Sequence, residues 1–153
     1  MSTLSSPHLP VQAGVSAVMR AVLLALIPGL VAYVLFFGYG VLINLLLASA
    51  TALLTEAAML RLRGRPVTRF ISDNSALVTA VLLGIALPPL APWWLVVIGT
   101  SFALVFGKHL YGGLGYNPFN PAMLGYVVLL ISFPTAMTTW PAVQPLMQPT
   151  LNL

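Results

Sequence analysis

Five apolar runs, at about 18–37, 41–60, 75–90, 93–109 and 121–140, fill most of this chain and leave few folds open to it. About 20 apolar residues in helical form span the hydrocarbon core of a bilayer. Against these runs stand only six Lys/Arg and two Asp/Glu in 153 residues. So few charges cannot cover a soluble core of this size, and the mean hydropathy of +1.01 agrees. The expected fold class is an all-α integral membrane protein with about five transmembrane segments. Residues 1–17 form a polar leader, 18–140 the transmembrane domain, and 141–153 an irregular tail marked by Pro141, Pro145 and Pro149. Because the leader lacks a small-residue cleavage site, the first segment is expected to be retained rather than removed as a signal peptide.

The charges order the segments. Arg61, Arg63, Arg65 and Arg69 crowd one connection, and Lys and Arg mark cytoplasmic loops. Alternation then puts Arg20, Lys108 and His109 on the cytoplasmic side, with Trp93, Trp94 and Trp140 on the other as interfacial anchors. The expected location is the bacterial inner membrane, crossed several times, with a cytoplasmic amino terminus and a periplasmic carboxyl terminus. A net charge of +4 concentrated in one loop is a topology signal and does not make the broad basic face that nucleic acid requires. The chain has no cysteine, so thiolate clusters and cysteine nucleophiles are excluded, and any redox work needs a bound organic cofactor.

Two segments are broken. Ser75 to Leu87, ahead of Pro88-Pro89, rises only ~20 Å at 1.5 Å per residue, short of the ~30 Å core. In the fifth, Pro121 suits the first helical position with Asn120 as cap, and Pro134 interrupts the run after Phe133. Short, proline-interrupted membrane segments point to a binding site at membrane depth.

The candidate site residues lie where these helices start. Asn117-Pro118-Phe119-Asn120-Pro121 follows a glycine-rich stretch that contains Gly113. Glycines permit close backbone approach, helix starts offer free amides, and Asn117 and Asn120 present donors and acceptors suited to the edge of a heteroaromatic ring. The same residues also serve as plain turn and cap residues. Asp73, or Asn74, can cap the third segment, and the helix dipole favours a carboxylate there. Glu56 is the one acid inside a span, a candidate step in an ion path, although pairing with Arg61 or Arg63 at the interface is the simpler expectation. His109 beside Lys108 lacks a second ligand at helical spacing, so no metal site is expected.

Several of these motifs occur together in one family. Ser6-Pro7-His8, Ala25-Leu26-Ile27-Pro28-Gly29, Asp73-Asn74-Ser75-Ala76-Leu77-Val78-Thr79-Ala80, Lys108-His109-Leu110-Tyr111-Gly112-Gly113-Leu114-Gly115 and Asn117-Pro118-Phe119-Asn120-Pro121-Ala122-Met123 stand in order. In this the chain resembles the amino-terminal half of the D subunit of the Rnf electron-transport complex, itself similar to the B subunit of the sodium-translocating NADH:quinone oxidoreductase. The resemblance implies one half of an inverted-repeat membrane fold. It implies a subunit of an ion-translocating ferredoxin:NAD oxidoreductase, relaying electrons through flavin with Na⁺ or H⁺ transport, in company with other Rnf-type membrane and peripheral subunits. It implies riboflavin contacts at Asn117, Asn120, Asp73 and Gly113, and no catalytic side chain.

The family also carries FMN on a threonine of a Ser-Gly-Ala-Thr motif. No such motif occurs here, and the nearest string, Ser49-Ala50-Thr51, lies inside the second run. A partial or split subunit is therefore expected, since the chain stops at Leu153. Two rivals share the same residues: half of a small-solute channel or transporter that completes itself by dimerising, and a remnant without cofactor.

Overall fold

A computed structural model describes residues 14–111 and 118–143, apart from the side chains of Arg69 and Phe70. Every regular element described is helical. In chain order they are α1 (Val15–Phe37), α2 (Gly40–Leu62), α3 (Val67–Ile71), α4 (Ser75–Ala86), α5 (Trp93–Leu104), a π-helical turn (Val105–His109), α6 (Pro121–Ser132) and α7 (Pro134–Thr138).

Two of these, α1 and α2, are long and apolar enough to cross a membrane. At 1.5 Å per residue, their 23 residues each rise ~35 Å. The first helix starts at Val15, earlier than the apolar run suggests. A sharp reversal at Gly38 joins the two, where a φ of +79° suits glycine. The remaining apolar helices are shorter. Both α4 and α6 have 12 residues and rise ~18 Å, and the segment expected at 121–140 is split where Pro134 restarts the chain as α7.

The core lies among α2, α4, α5 and α6, while α1 leans on α2 and α4 and buries no residue. On α2 the inward face is Val41, Asn44, Ala48, Thr51, Ala52, Glu56 and Leu60. Alanine at the contact positions lets α4 approach closely, as membrane helices do when no hydrophobic force drives them together. The α5·α6 contact depends on the same device. Gly99, Ala103 and Gly107 recur every four residues on α5 and its π turn. Gly99 faces Leu129, Gly107 faces Pro121, and Gly125 of α6 meets the Gly99 carbonyl and Ala103. A Cβ on Gly125 would stand 2.8 Å from that carbonyl oxygen.

The two ends of the bundle differ in chemistry. At one end Asn44 Nδ2 donates to the Pro88 carbonyl at 2.8 Å, Gly40 lies under Pro89, Phe37 meets Trp140 at 6.0 Å between ring centroids, and Trp94 meets Phe133 at 5.1 Å. The opposite end gathers Glu56, Ser75, Lys108 and His109. The aromatic residues and the charges expected on opposite membrane faces are thus at opposite ends of the helices.

Candidate functional site

Glu56 sits nearly two turns before the end of α2, on the face shared with Ala48, Ala52 and Leu60, and is 1% exposed. Sequence proximity pairs it with Arg61 or Arg63, but the inward face of α2 turns it away from both and toward α5. Lys108 Nζ donates to Glu56 Oε1 at 2.7 Å, and His109 Nε2 lies 2.9 Å from Oε2. Both carboxylate oxygens are therefore occupied by residues more than 50 positions away.

The π turn brings these neighbours to one acid. Successive side chains on an α-helix diverge by ~100°, too far for both to reach the same carboxylate easily. The wider turn, closed by Leu110 N–H donating to the Val105 carbonyl at 2.9 Å, points Lys108 and His109 inward together. Both are 3% exposed. Such single π turns inside α-helices are frequent at functional sites.

The chain of contacts continues into α4. Lys108 Nζ also donates to Ser75 Oγ at 2.7 Å. Ser75 Oγ in turn donates to Asp73 Oδ1 at 2.6 Å, and the same oxygen accepts from Ser75 N–H at 2.8 Å. Asp73 is the residue whose side chain caps α4. Asn74 instead takes a left-handed φ of 62°, and its Nδ2 donates to the Ser72 carbonyl at 3.3 Å. Five side chains, Asp73, Ser75, Lys108, Glu56 and His109, form one connected polar network.

At α6, Asn120 acts as the sequence indicates. Its Oδ1 accepts from Ala122 N–H at 2.9 Å, with Pro121 in the first turn. Asn120 also lines a groove of about 280 Å³ with Leu82, Ala86, Ala122, Met123 and Tyr126. Asp73 is not part of that lining. The two helix starts nevertheless meet the same π turn, α4 through Ser75 and Lys108, α6 through Pro121 on Gly107. Asn117 and Gly113 lie outside the described residues.

Sequence reasoning misses this network because it joins residues far apart in the chain. One signal is present: Ala48, Ala52, Glu56 and Leu60 fall at spacing four, so the acid shares a face with the small residues that pack inward.

Residues 2–150 match the NQR2, RnfD, RnfE family. Among curated relatives, the chain is 61% identical over 140 residues to the D subunit of the ion-translocating oxidoreductase complex of Yersinia pseudotuberculosis, covering 92% of this chain and 40% of that protein. It is 62% identical over 136 residues to the corresponding protein of Shewanella pealeana, covering 89% and 39%. With that of Escherichia coli the identity is 58% over 136 residues, again covering 89% and 39%. The chain thus spans about 40% of the length of these relatives. A helical chain with two bilayer-length helices and a match along almost all of its length is a membrane protein belonging to the NQR2, RnfD, RnfE family.

Proposed function

We propose that this chain is the amino-terminal part of the D subunit of an ion-translocating ferredoxin:NAD oxidoreductase, and that it supplies one wall of a riboflavin site. In that role it assists electron relay coupled to Na⁺ or H⁺ movement and assembles with other membrane and peripheral subunits. Similarity to the D subunits of ion-translocating oxidoreductase complexes supports the class of complex. The groove beside the start of α6 carries the flavin part.

The groove residues fit a flavin edge. Asn120 Oδ1 is committed to the α6 cap, which leaves Nδ2 to donate toward a ring carbonyl or nitrogen. Leu82, Ala86, Ala122 and Met123 give apolar walls, and Tyr126 adds an aromatic one. At about 280 Å³ the groove lies at the lower bound of ligand sites, ~300–1,000 Å³, so this chain forms one side and a further wall closes the other. A bound riboflavin supplies electron transfer, chemistry that side chains alone do not offer. This chain's residues bind the ring edge, orient it by the amide of Asn120 and shield it from water.

Covalent FMN does not fit these residues, because the Ser-Gly-Ala-Thr attachment motif is absent from the sequence. Within the bilayer, the Arg-rich connection 61–70 faces the cytoplasm and the aromatic end faces the periplasm.

The test is the purified complex, with its D subunit intact and with Asn120→Leu. Riboflavin extracted from the denatured complex, separated from covalently held FMN, should be present in the first and reduced in the second. No extractable riboflavin in the first, or equal riboflavin in both, would remove the flavin reading of this groove and favour solute transport.

A further inference from the structure

Burying an acid, an ammonium and an imidazole together costs several kcal/mol per ion before any contact is counted. Apolar side chains of similar size would hold α2 against α5 without that cost. The network should therefore supply something packing alone does not, and its connections show what it controls. On one side of the π turn, Lys108 and His109 grip Glu56. On the other, Gly107 is pressed on Pro121, where a Cβ would stand 2.7 Å from the proline Cα. The π turn is therefore clamped between α2 and the first residue of α6, next to Asn120. Through Ser75 it also holds the start of α4.

We propose that the Glu56–Lys108 pair is a positioning device: by fixing the π turn, it sets where the start of α6 stands and so where Asn120 faces its groove. Glu56 and Lys108 are positioning residues, acting through Pro121 and Asn120 rather than touching a cofactor. A direct ion-carrying role for Glu56 fits the geometry less well. Both its oxygens are occupied, it is 1% exposed, and a hard cation collects about six oxygen ligands. Directionality favours the proposal too. A charge pair has one good geometry where apolar contacts have many, which is the attested use of buried polar groups in setting register.

The inference rests on the flavin reading for its purpose but not for its mechanics, and the experiment separates them. In the complex, the D subunit on a cysteine-free background would carry spin labels at Leu62→Cys and Val127→Cys, both exposed positions, on α2 and α6. The variants are Glu56→Gln, Lys108→Gln, the double variant, and Ser75→Ala, which removes one link without stranding a charge.

The single charge variants should broaden or shift the α2–α6 distance distribution and weaken riboflavin retention at least tenfold, with an altered visible circular dichroism band. Ser75→Ala should do the same to a smaller degree. The double variant, a neutral hydrogen-bonded pair of similar shape, should recover the wild-type distance and retain riboflavin within threefold. Unchanged distances in the single variants and in Ser75→Ala would overturn the proposal, whatever the flavin content. If the single variants fail to assemble, an unchanged distance in Ser75→Ala overturns it alone. Distances that move in a complex where riboflavin is absent or indifferent would leave the clamp standing and defeat the flavin reading instead.

Discussion

Adding one methyl group at Gly125 should separate α5 from α6, whereas the same change at Gly99 should be nearly silent. A Cβ at Gly125 meets the Gly99 carbonyl oxygen at 2.8 Å and Ala103 Cβ at 2.9 Å, both fixed to the backbone of the facing helix. Ordinary van der Waals contact begins near 3.4 Å, so the helices must part by about 0.6 Å. A gap of that order forfeits a quarter to a half of the dispersion well for atoms along the seam, and overpacking of this kind costs about 1–3 kcal/mol. Replacing a helical glycine with alanine returns roughly 0.5–1 kcal/mol. The net loss for Gly125→Ala is roughly 0–2.5 kcal/mol, centred on about 1 kcal/mol. At Gly99 the obstacle is the end of the Leu129 side chain, which can rotate away, so the two effects offset to within about 1 kcal/mol. Thermal unfolding of the detergent-solubilised protein, compared at one scan rate by tryptophan fluorescence, reads the difference. Trp94, in contact with Phe133 just beyond the end of α6, reports on this seam. A Gly125→Ala variant as stable as wild type, or a Gly99→Ala variant that loses more, would refute the seam as described.

The Pro88 carbonyl accepts from both Asn44 Nδ2 and the Ala91 N–H, so Asn44→Leu removes one of its two hydrogen bonds and should cost about 0.5–1.5 kcal/mol, read as a lowered unfolding midpoint. The cap on α4 predicts that Asp73→Ala loses about 1 kcal/mol while Asp73→Asn keeps most of it, checked by the same melts. Thr100 is fully buried and its hydroxyl has no hydrogen-bond partner among the described residues, so Thr100→Val should be neutral or stabilising by about 1 kcal/mol. Since the chain has no cysteine, Tyr39→Cys and Leu62→Cys give clean single labels. A membrane-impermeant maleimide should reach the first on intact cells and the second only after permeabilisation, and the reverse order would invert the proposed topology.

The parts of this molecule written in local sequence are legible. Asn120-Pro121 specifies a helix start by cap chemistry and a fixed φ, and the structure has it. Pro134 cannot continue α6, and α7 begins there. Gly38 marks the reversal between the long helices because its φ is positive. The rest depends on contacts across the fold. Proximity in sequence assigns Glu56 to the arginines that follow it, but helix geometry turns an acid on the alanine face away from them. The π turn has no local signature in Val105-Phe106-Gly107-Lys108-His109, and the carboxylate that meets its Lys108 and His109 stands more than 50 positions away. The spacing of Gly99, Ala103 and Gly107 is a packing stripe open to inspection, yet the denser glycines of the following connection are the more conspicuous feature.

The brevity of α4 and α6 also has an electrical consequence. An 18 Å rod cannot insulate a 30 Å film, so either lipid thins around it or water enters to meet its ends. In either case voltage would fall mostly across whatever thin septum remains, not evenly through the film. A charge crossing there gathers nearly the full ~2.3 kcal/mol per 100 mV within a short step. Lys108 and Glu56, 3% and 1% exposed and paired with each other beside the start of α4, are packed away from any such water.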